Sequence, residues 1–297
     1  RMVKEISATG KRVEIIHIQE LGGVSKAIMA GTNIARRLVI EASGMQRSPA
    51  DISNVVMAIK CGASDTTSGM ASNCVIGYVA DRLVGLGATV VFGETTEFIG
   101  GEHLLARRAV SKEVGDQIYT IVNKMEARAK SLGCDMRKGQ PTPGNIAGGL
   151  SSIEEKSLGA IVKSGTKPIQ GVLDYPERVT NQKGLWIKDT PGREPEILTG
   201  MAATGAQFMM FSTGRGAPQG FPSMPVIKIC GNPNTYERME DDMDLNAGLI
   251  ITGEKTIEQV GEEAFDKMIR TLNGEMTKNE AIQYFSSIDI QCLGPVI

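Results

Sequence analysis

Aromatic residues are scarce in this chain of 297 residues: 4% in all, with one Trp and five Tyr. Few flat side chains are therefore available to stack bases, and single-stranded nucleic-acid binding is disfavoured. Net charge is almost absent as well. A formal value of -2 gives no broad positive field for phosphate backbones or anionic lipid, so any anion has to be caught by a local site. Histidine is limited to His17 and His103, and the five cysteines are scattered without a C-x-x-C pair. That combination argues against a zinc site of Cys and His alone and for free thiols in a reducing compartment. No apolar stretch approaches the roughly 20 residues that span a bilayer, and Arg1-Met2-Val3-Lys4-Glu5 lacks the apolar core of a signal peptide. The expectation is a cytoplasmic protein with no membrane and no nucleic-acid partner. Low-complexity tracts and fixed-period repeats are also missing.

What is present is a foldable balance. Hydrophobic residues make up 41% and charged residues 22%, enough burial to offset the entropy of ordering the chain. A β-branched run at 13–18 precedes a helical pattern over 24–42; apolar runs at 54–59 and 88–92 bracket a helical stretch at 70–86. Residues 102–132 are mostly helical and stop at Gly133. This alternation predicts parallel strands covered by helices. Residues 139–149, GQPTPGNIAGG, break any regular element. Beyond them come a helix at 152–163, a strand at 169–174, short apolar runs at 185–188, 207–211, 226–230 and 249–251, and an amphipathic helix at 256–272. The reading is α/β, with two Rossmann-like units, 1–138 and 139–297, on parallel or mixed sheets.

Three strand-to-loop junctions carry possible chemistry. In STGRGAPQG (212–220) the glycines superficially suggest a dinucleotide fingerprint, but prolines intervene and no helix opens at the third glycine. A glycine-rich loop remains, in which Arg215 offers a planar fork that matches a carboxylate or sulfonate. In KCGASDTTSG (60–69) five oxygen-bearing side chains, Ser64 to Ser68, follow a strand, where ligands bind in open α/β sheets. Helix capping needs only one of them. GETTE (93–97) brings Glu94 and Glu97 to the same sheet edge, with His103 near in sequence, as proton-transfer groups or ligands of a hard cation. A fourth stretch, DMDLNAG (242–248), lacks the Gly and Glu of a calcium loop, yet keeps Asp244 and Asn246 as site candidates.

Taken in order, KCGASDTTSG, GETTEF, TPGN, GVLDY, STGRGAP and DLNAG make the chain, from about residue 55 onward, resemble the altronate/galactarate dehydratase family, which includes the large subunit of sulfolactate sulfo-lyase. The resemblance implies a lyase that removes water from a sugar acid to give a 2-keto-3-deoxy acid, with sulfite leaving in the sulfo-lyase branch. It also implies a divalent metal, usually Fe2+, with Mn2+ or Mg2+ as alternatives. Family members carry a glycine-rich His/Cys region upstream of the segment resembling KCGASD, and some carry a small domain before that; neither is matched here. The chain could thus also be a non-catalytic, anion-binding half of a split enzyme. Removing a proton next to a carboxylate requires neutralisation of the developing enediolate, a base, and help for the leaving group. Asp65, Glu94, Glu97 and His103 are the proton-transfer candidates. Ser64, Asn145, Thr213, Arg215, Lys228 and Asn246 are the substrate-binding candidates, and Cys61 and Asp244 the metal-ligand candidates. The expected partners are a small hydroxy acid and further copies of the chain, with a second small subunit possible.

Overall fold

Short runs of Val, Ile, Met and Phe too apolar to face water on either side pair into a single parallel sheet. The computed structural model describes residues 1–180, 183–285 and 287–292. Two units emerge, Arg1–Ala50 and Asp51–Ile297. The first holds helices α1 (Met2–Ser7) and α2 (Val24–Ser43). The β-branched run at 13–18, expected as a strand, has no regular structure over 11–17. No described strand pairs with it, and β propensity without a ladder partner does not hold a strand.

In the second unit the chain runs β1 (Val56–Gly62), a π-type turn (Ser68–Ser72), α3 (Asn73–Gly85), β2 (Thr89–Phe92), a 3-10 turn (Thr95–Glu97), α4 (Glu102–Ala106) and α5 (Lys112–Ser131). Next come α6 (Met136–Gly139), α7 (Pro143–Ala147), α8 (Ile153–Ile161), a 3-10 turn (Val162–Ser164), β3 (Ile169–Leu173) and β4 (Gly184–Lys188). The remainder is α9 (Glu194–Ala203), β5 (Phe208–Thr213), β6 (Val226–Cys230), α10 (Pro233–Arg238), β7 (Leu245–Asn246), α11 (Gly248–Ile251), α12 (Ile257–Leu272) and α13 (Lys278–Ala281). The long helix expected over 102–132 is two helices. Between them Arg108 and Val110 exchange backbone hydrogen bonds with Ile169, and Ser111 then caps α5 by accepting from Val114 N. The apolar run 249–251 is helical, because the Asn246 side chain accepts from Gly248 N and turns the chain out of β7.

The α/β class is as expected, on one sheet. Its order is β3-β4-β2-β1-β5-β6-β7 and every pairing is parallel. Strands β1 and β2 precede the Gly/Pro stretch at 139–149 and β3 to β7 follow it, so the sheet crosses the boundary expected there. That stretch is an excursion that forms α7, held by the Thr142–Asn145 capping box.

Alternation along the strands sends Met57, Ile59, Val90, Phe92 and Met210 to a core with α3, α5 and α12, and Ala58, Val91, Met209 and Phe211 to one with α9. Strand order reverses at β1, since β2 lies on one side of it and β5 on the other. In such sheets the crevice beyond the carboxyl end of the switch strand is the natural ligand position. Among the described residues no helix is long and apolar enough to cross a membrane.

Candidate active site

The residues that follow β1 and β2 converge at that crevice. β1 runs on to Gly62, so Lys60 and Cys61 stand within the strand and their side chains go to opposite faces of the sheet. After β2 the chain turns sharply: Glu94 has φ 71, a left-handed conformation costly for a residue with a side chain. Thr190 Oγ1 holds that turn by accepting from Glu94 N at 2.8 Å, and Thr190 O accepts from Thr95 N at 3.0 Å. Glu94 is thereby set over the edge of β1. Its Oε1 accepts from Lys60 Nζ at 2.7 Å, while its Oε2 accepts from Cys61 N at 2.9 Å and from Lys163 Nζ at 2.5 Å. One carboxylate therefore ties together groups from both faces of the sheet.

Glu97, one turn on, completes the cluster. Its Oε2 accepts from Cys61 Sγ at 2.8 Å and from Lys163 Nζ at 3.0 Å. Its Oε1 faces Lys156 Nζ at 3.9 Å, and Lys156 also donates to Gln140 and Asn145. Lys60, Cys61, Glu94, Glu97 and Lys163 are all buried. Isolated charges cannot stay ionised in such a place, but pairing reverses the balance. Burial works to raise the Glu97 carboxyl, yet Lys163, with Lys156 and Lys60 behind it, holds it down at about 2. Burial works against the charge of Lys163, but the Cys61 sulfur and the two carboxylates lift its ammonium well above the ordinary lysine range. Burial, reinforced by Glu97, pushes the Cys61 thiol well up, so it stays protonated and donates to Glu97.

The cluster opens on a cavity of about 450 Å³ lined by Cys61, Ser64, Glu94, Glu97, Asn145, Lys156, Arg215 and neighbouring loop residues. Six of the residues expected at a site from sequence meet here: Cys61, Ser64, Glu94, Glu97, Asn145 and Arg215. Asn145 Nδ2 donates to Ser64 O at 2.9 Å and so fixes α7 against the loop after β1. Arg215 is exposed, and a Cβ added at Gly144 would fall 2.1 Å from its Nη1, so the guanidinium lies directly against the α7 backbone. The other expected residues lie elsewhere. Asp65 lines a neighbouring cavity of about 290 Å³ and is engaged by Thr67, Ser68 and Asn232, holding the start of the π-type turn. His103 is exposed on α4. Thr213 Oγ1 accepts from Gly216 N and Ala217 N, shaping the Arg215 loop rather than lining the cavity. Asn246 caps its own turn. Lys228 is buried against Phe211, and the side chain of the half-buried Asp244 is enclosed where it accepts from Lys228 N and Lys278 N.

Three lysines of this site, Lys60, Lys156 and Lys163, did not stand out in the sequence reading. The signal for Lys60 is a Lys within a strand otherwise apolar and buried on both faces; Lys163 directly follows the apolar GAIV run that ends α8. In a buried element a lysine needs an anion, and two lysines near two glutamates at one sheet edge form such a set.

Among the described residues, the one group of donors close enough to hold a metal is Cys61, Glu94 and Glu97, whose ligand atoms lie within 4.8 Å of one another. In type, a sulfur and two carboxylates suit Fe2+ better than Mg2+. In geometry they do not fit a metal as they stand, because Lys163 Nζ already contacts all three.

A charged cavity at the switch point of a parallel sheet defines a small-ligand site of the α/β class. Residues 52–292 match the profile described as D-galactarate/Altronate dehydratase, C-terminal, and the chain belongs to that family. It is 39% identical over 284 residues to the (2R)-sulfolactate sulfo-lyase subunit beta of Chromohalobacter salexigens, covering 95% of this chain and 72% of that protein. It is 39% identical over 242 residues to the galactarate dehydratase (L-threo-forming) of Escherichia coli, covering 82% of this chain and 46% of that enzyme. Against the altronate dehydratase of Bacillus subtilis the identity is 33% over 270 residues, covering 91% and 53%. The chain thus spans about half the length of these two dehydratases. All three relatives are named for lyase activities.

Proposed function

We propose that the chain carries the catalytic site of a lyase that removes water from a sugar acid of the altronate or galactarate kind, giving a 2-keto-3-deoxy acid. The observation that carries this reading is the pairing, in one cavity, of the open oxygen of Glu97 with Arg215 and Lys156. The substrate carboxylate is placed on Arg215, whose fork matches it, with Asn145 and Ser64 binding hydroxyls. Glu97 Oε1 takes the C2 proton as the C2–H bond breaks. A carboxyl held at about 2 is always ionised at neutral pH but is a weak base. The enediolate must therefore be strongly stabilised, and Arg215 and Lys156 supply positive charge where it develops. The C3–O bond then breaks, hydroxide leaves as water with a proton from the site, and the enol product becomes the 2-keto acid. The divalent metal that the resemblance implies has no place among the described donors while Lys163 stays there, so charge neutralisation is assigned to the chain's own cations.

The extended match to a sulfo-lyase subunit beta favours a second reading. Loss of a proton from C2 followed by breakage of the bond at C3 is common to both, and sulfite in place of hydroxide turns the hydro-lyase into a carbon-sulfur lyase. In either reading the proposed setting is the cytoplasm and the proposed assembly a homo-oligomer, with a second small subunit in the sulfo-lyase case. The test is an anaerobic assay, with and without Fe2+, against aldonates, aldarates and sulfolactate, reading 2-keto acid and sulfite separately. Keto acid without sulfite supports dehydration, and the two in equal amounts from sulfolactate support the second reading. Turnover unchanged in Glu97→Gln would remove Glu97 from the proposed role.

A further inference from the structure

We infer that the Cys61, Glu94 and Glu97 pocket is built around the ammonium group of Lys163, which fills the position a divalent metal would need, and that these donors take up a metal only when Lys163 is removed. An ammonium has three N–H donors and no acceptor. Lys163 Nζ places them on Cys61 Sγ at 2.9 Å, Glu94 Oε2 at 2.5 Å and Glu97 Oε2 at 3.0 Å, leaving none unused. A metal bonded to the same sulfur and oxygens at the usual ~2.0–2.3 Å would have to lie among them, within contact distance of that nitrogen.

Charge leads to the same result. The two carboxylates face two buried ammonium groups, Lys60 on one side and Lys163 on the other. That set is balanced, and a dication added to it would meet uncompensated repulsion at low dielectric.

The backbone that carries Lys163 is fixed on several sides, which is what a resident group requires and a swinging arm does not. Gly77 of α3 has no side chain, and a Cβ there would fall 2.5 Å from Val162 O, so α3 closes directly on the 3-10 turn that holds Lys163. Gly165 turns at φ +64, where a Cβ would meet Asp81 at 2.3 Å. Asp81 in turn accepts from Thr166 N and Oγ1, both at 2.7 Å, and Arg108 donates to Ser164 Oγ at 2.9 Å and to Lys167 O at 2.9 Å. Lys163 itself does not line the cavity. The inference therefore holds whichever acid the cavity accepts, and it does not depend on the proposed reaction.

The experiment is an anaerobic Co2+ titration of the chain followed by absorption, since a thiolate bound to Co2+ gives a near-ultraviolet charge-transfer band that requires no turnover. The unchanged chain is expected to show no such band at one equivalent. Lys163→Met is expected to gain one equivalent of bound Co2+ with the band, and to lose the band when Cys61→Ser is added. Lys163→Gln, which keeps two N–H donors, serves as the second variant should the Met form not fold. A band in the unchanged chain that disappears in Cys61→Ser overturns the inference, as does a folded Lys163 variant that binds no more Co2+ than the unchanged chain.

Discussion

Lys228 lays its Nζ 3.4 Å from the centre of the Phe211 ring and has no hydrogen-bond partner among the described residues. Strand register sets Lys60 and Lys228 opposite Phe211 on its two sides, and Lys60 Nζ lies 5.1 Å from the same ring. The ring face attracts a cation, but only Lys60 also has a carboxylate within hydrogen-bond reach. Burial, and then repulsion from Lys60, pull Lys228 well below the ordinary lysine range, which favours the neutral amine in the fold. Lys228→Met is therefore expected to stabilise the protein at pH 7 by ~1–3 kcal/mol, the cost of a buried polar group without a partner. The unfolded chain binds the extra proton, so stability conferred by the native residue rises with pH toward ~10.4. The gain in Lys228→Met should shrink along that rise. Melting temperatures at pH 7 and pH 10 check this, and an equal gain at both would sink it.

Glu97 has the opposite sign. Its carboxyl is held at about 2 in the fold against burial, chiefly by Lys163. A depressed carboxyl contributes stability that is fully present above its unfolded value near ~4.3 and is lost as pH falls toward 2. Chemical denaturation of the native chain should thus weaken over that window, and Glu97→Gln should flatten that part of the curve while starting lower at pH 7. A slope unaltered by the substitution would show that the lost stability belongs to other carboxyls.

The sheet was legible because strands buried on both faces leave apolar runs, and 54–59, 88–92 and 226–230 are such runs. The strand expected at 13–18 was not, since the same residue types say nothing about whether a partner exists. The sheet continues across the Gly/Pro stretch at 139–149, because punctuation marks the end of an element and not the end of a sheet. Glu94, Glu97 and Cys61 could be singled out from position at strand ends. Lys163 could not, because its link to Cys61 spans 102 residues and depends on how closely α3 lets the turn at 162–164 approach.

Asp65 offers a way to separate capping from catalysis. Its Oδ1 accepts from Ser68 N at 3.0 Å and from Thr67 Oγ1 at 2.6 Å, and its Oδ2 accepts from Asn232 Nδ2 at 3.1 Å. These are the bonds of a turn cap. Asp65→Ala should cost ~1–2 kcal/mol of stability. Asp65→Asn, which still caps, should keep turnover within ~10-fold, whereas a proton-transfer residue would lose ~10²–10⁴-fold. Paired melting and rate measurements decide between the two roles.

Arg215 and Gly144 make the corresponding test of the cavity rim. The guanidinium is exposed and no hydrogen bond to another described residue holds it, so Arg215→Ala should leave the melting temperature nearly unchanged. If it neutralises the enediolate, the same substitution should lower kcat by ~10²–10³, the usual loss on removing one group that stabilises developing negative charge. Gly144→Ala should reproduce part of that loss with Arg215 still present. The added Cβ would fall 2.1 Å from Arg215 Nη1, the far end of a flexible side chain, which can swing away at little cost to the fold but not without leaving its place beside the substrate. Arg215→Lys should not recover the rate, because an ammonium cannot present two parallel N–H bonds to a carboxylate. Full activity in Gly144→Ala alongside an inactive Arg215→Ala would mean that the guanidinium works from a different position, away from α7.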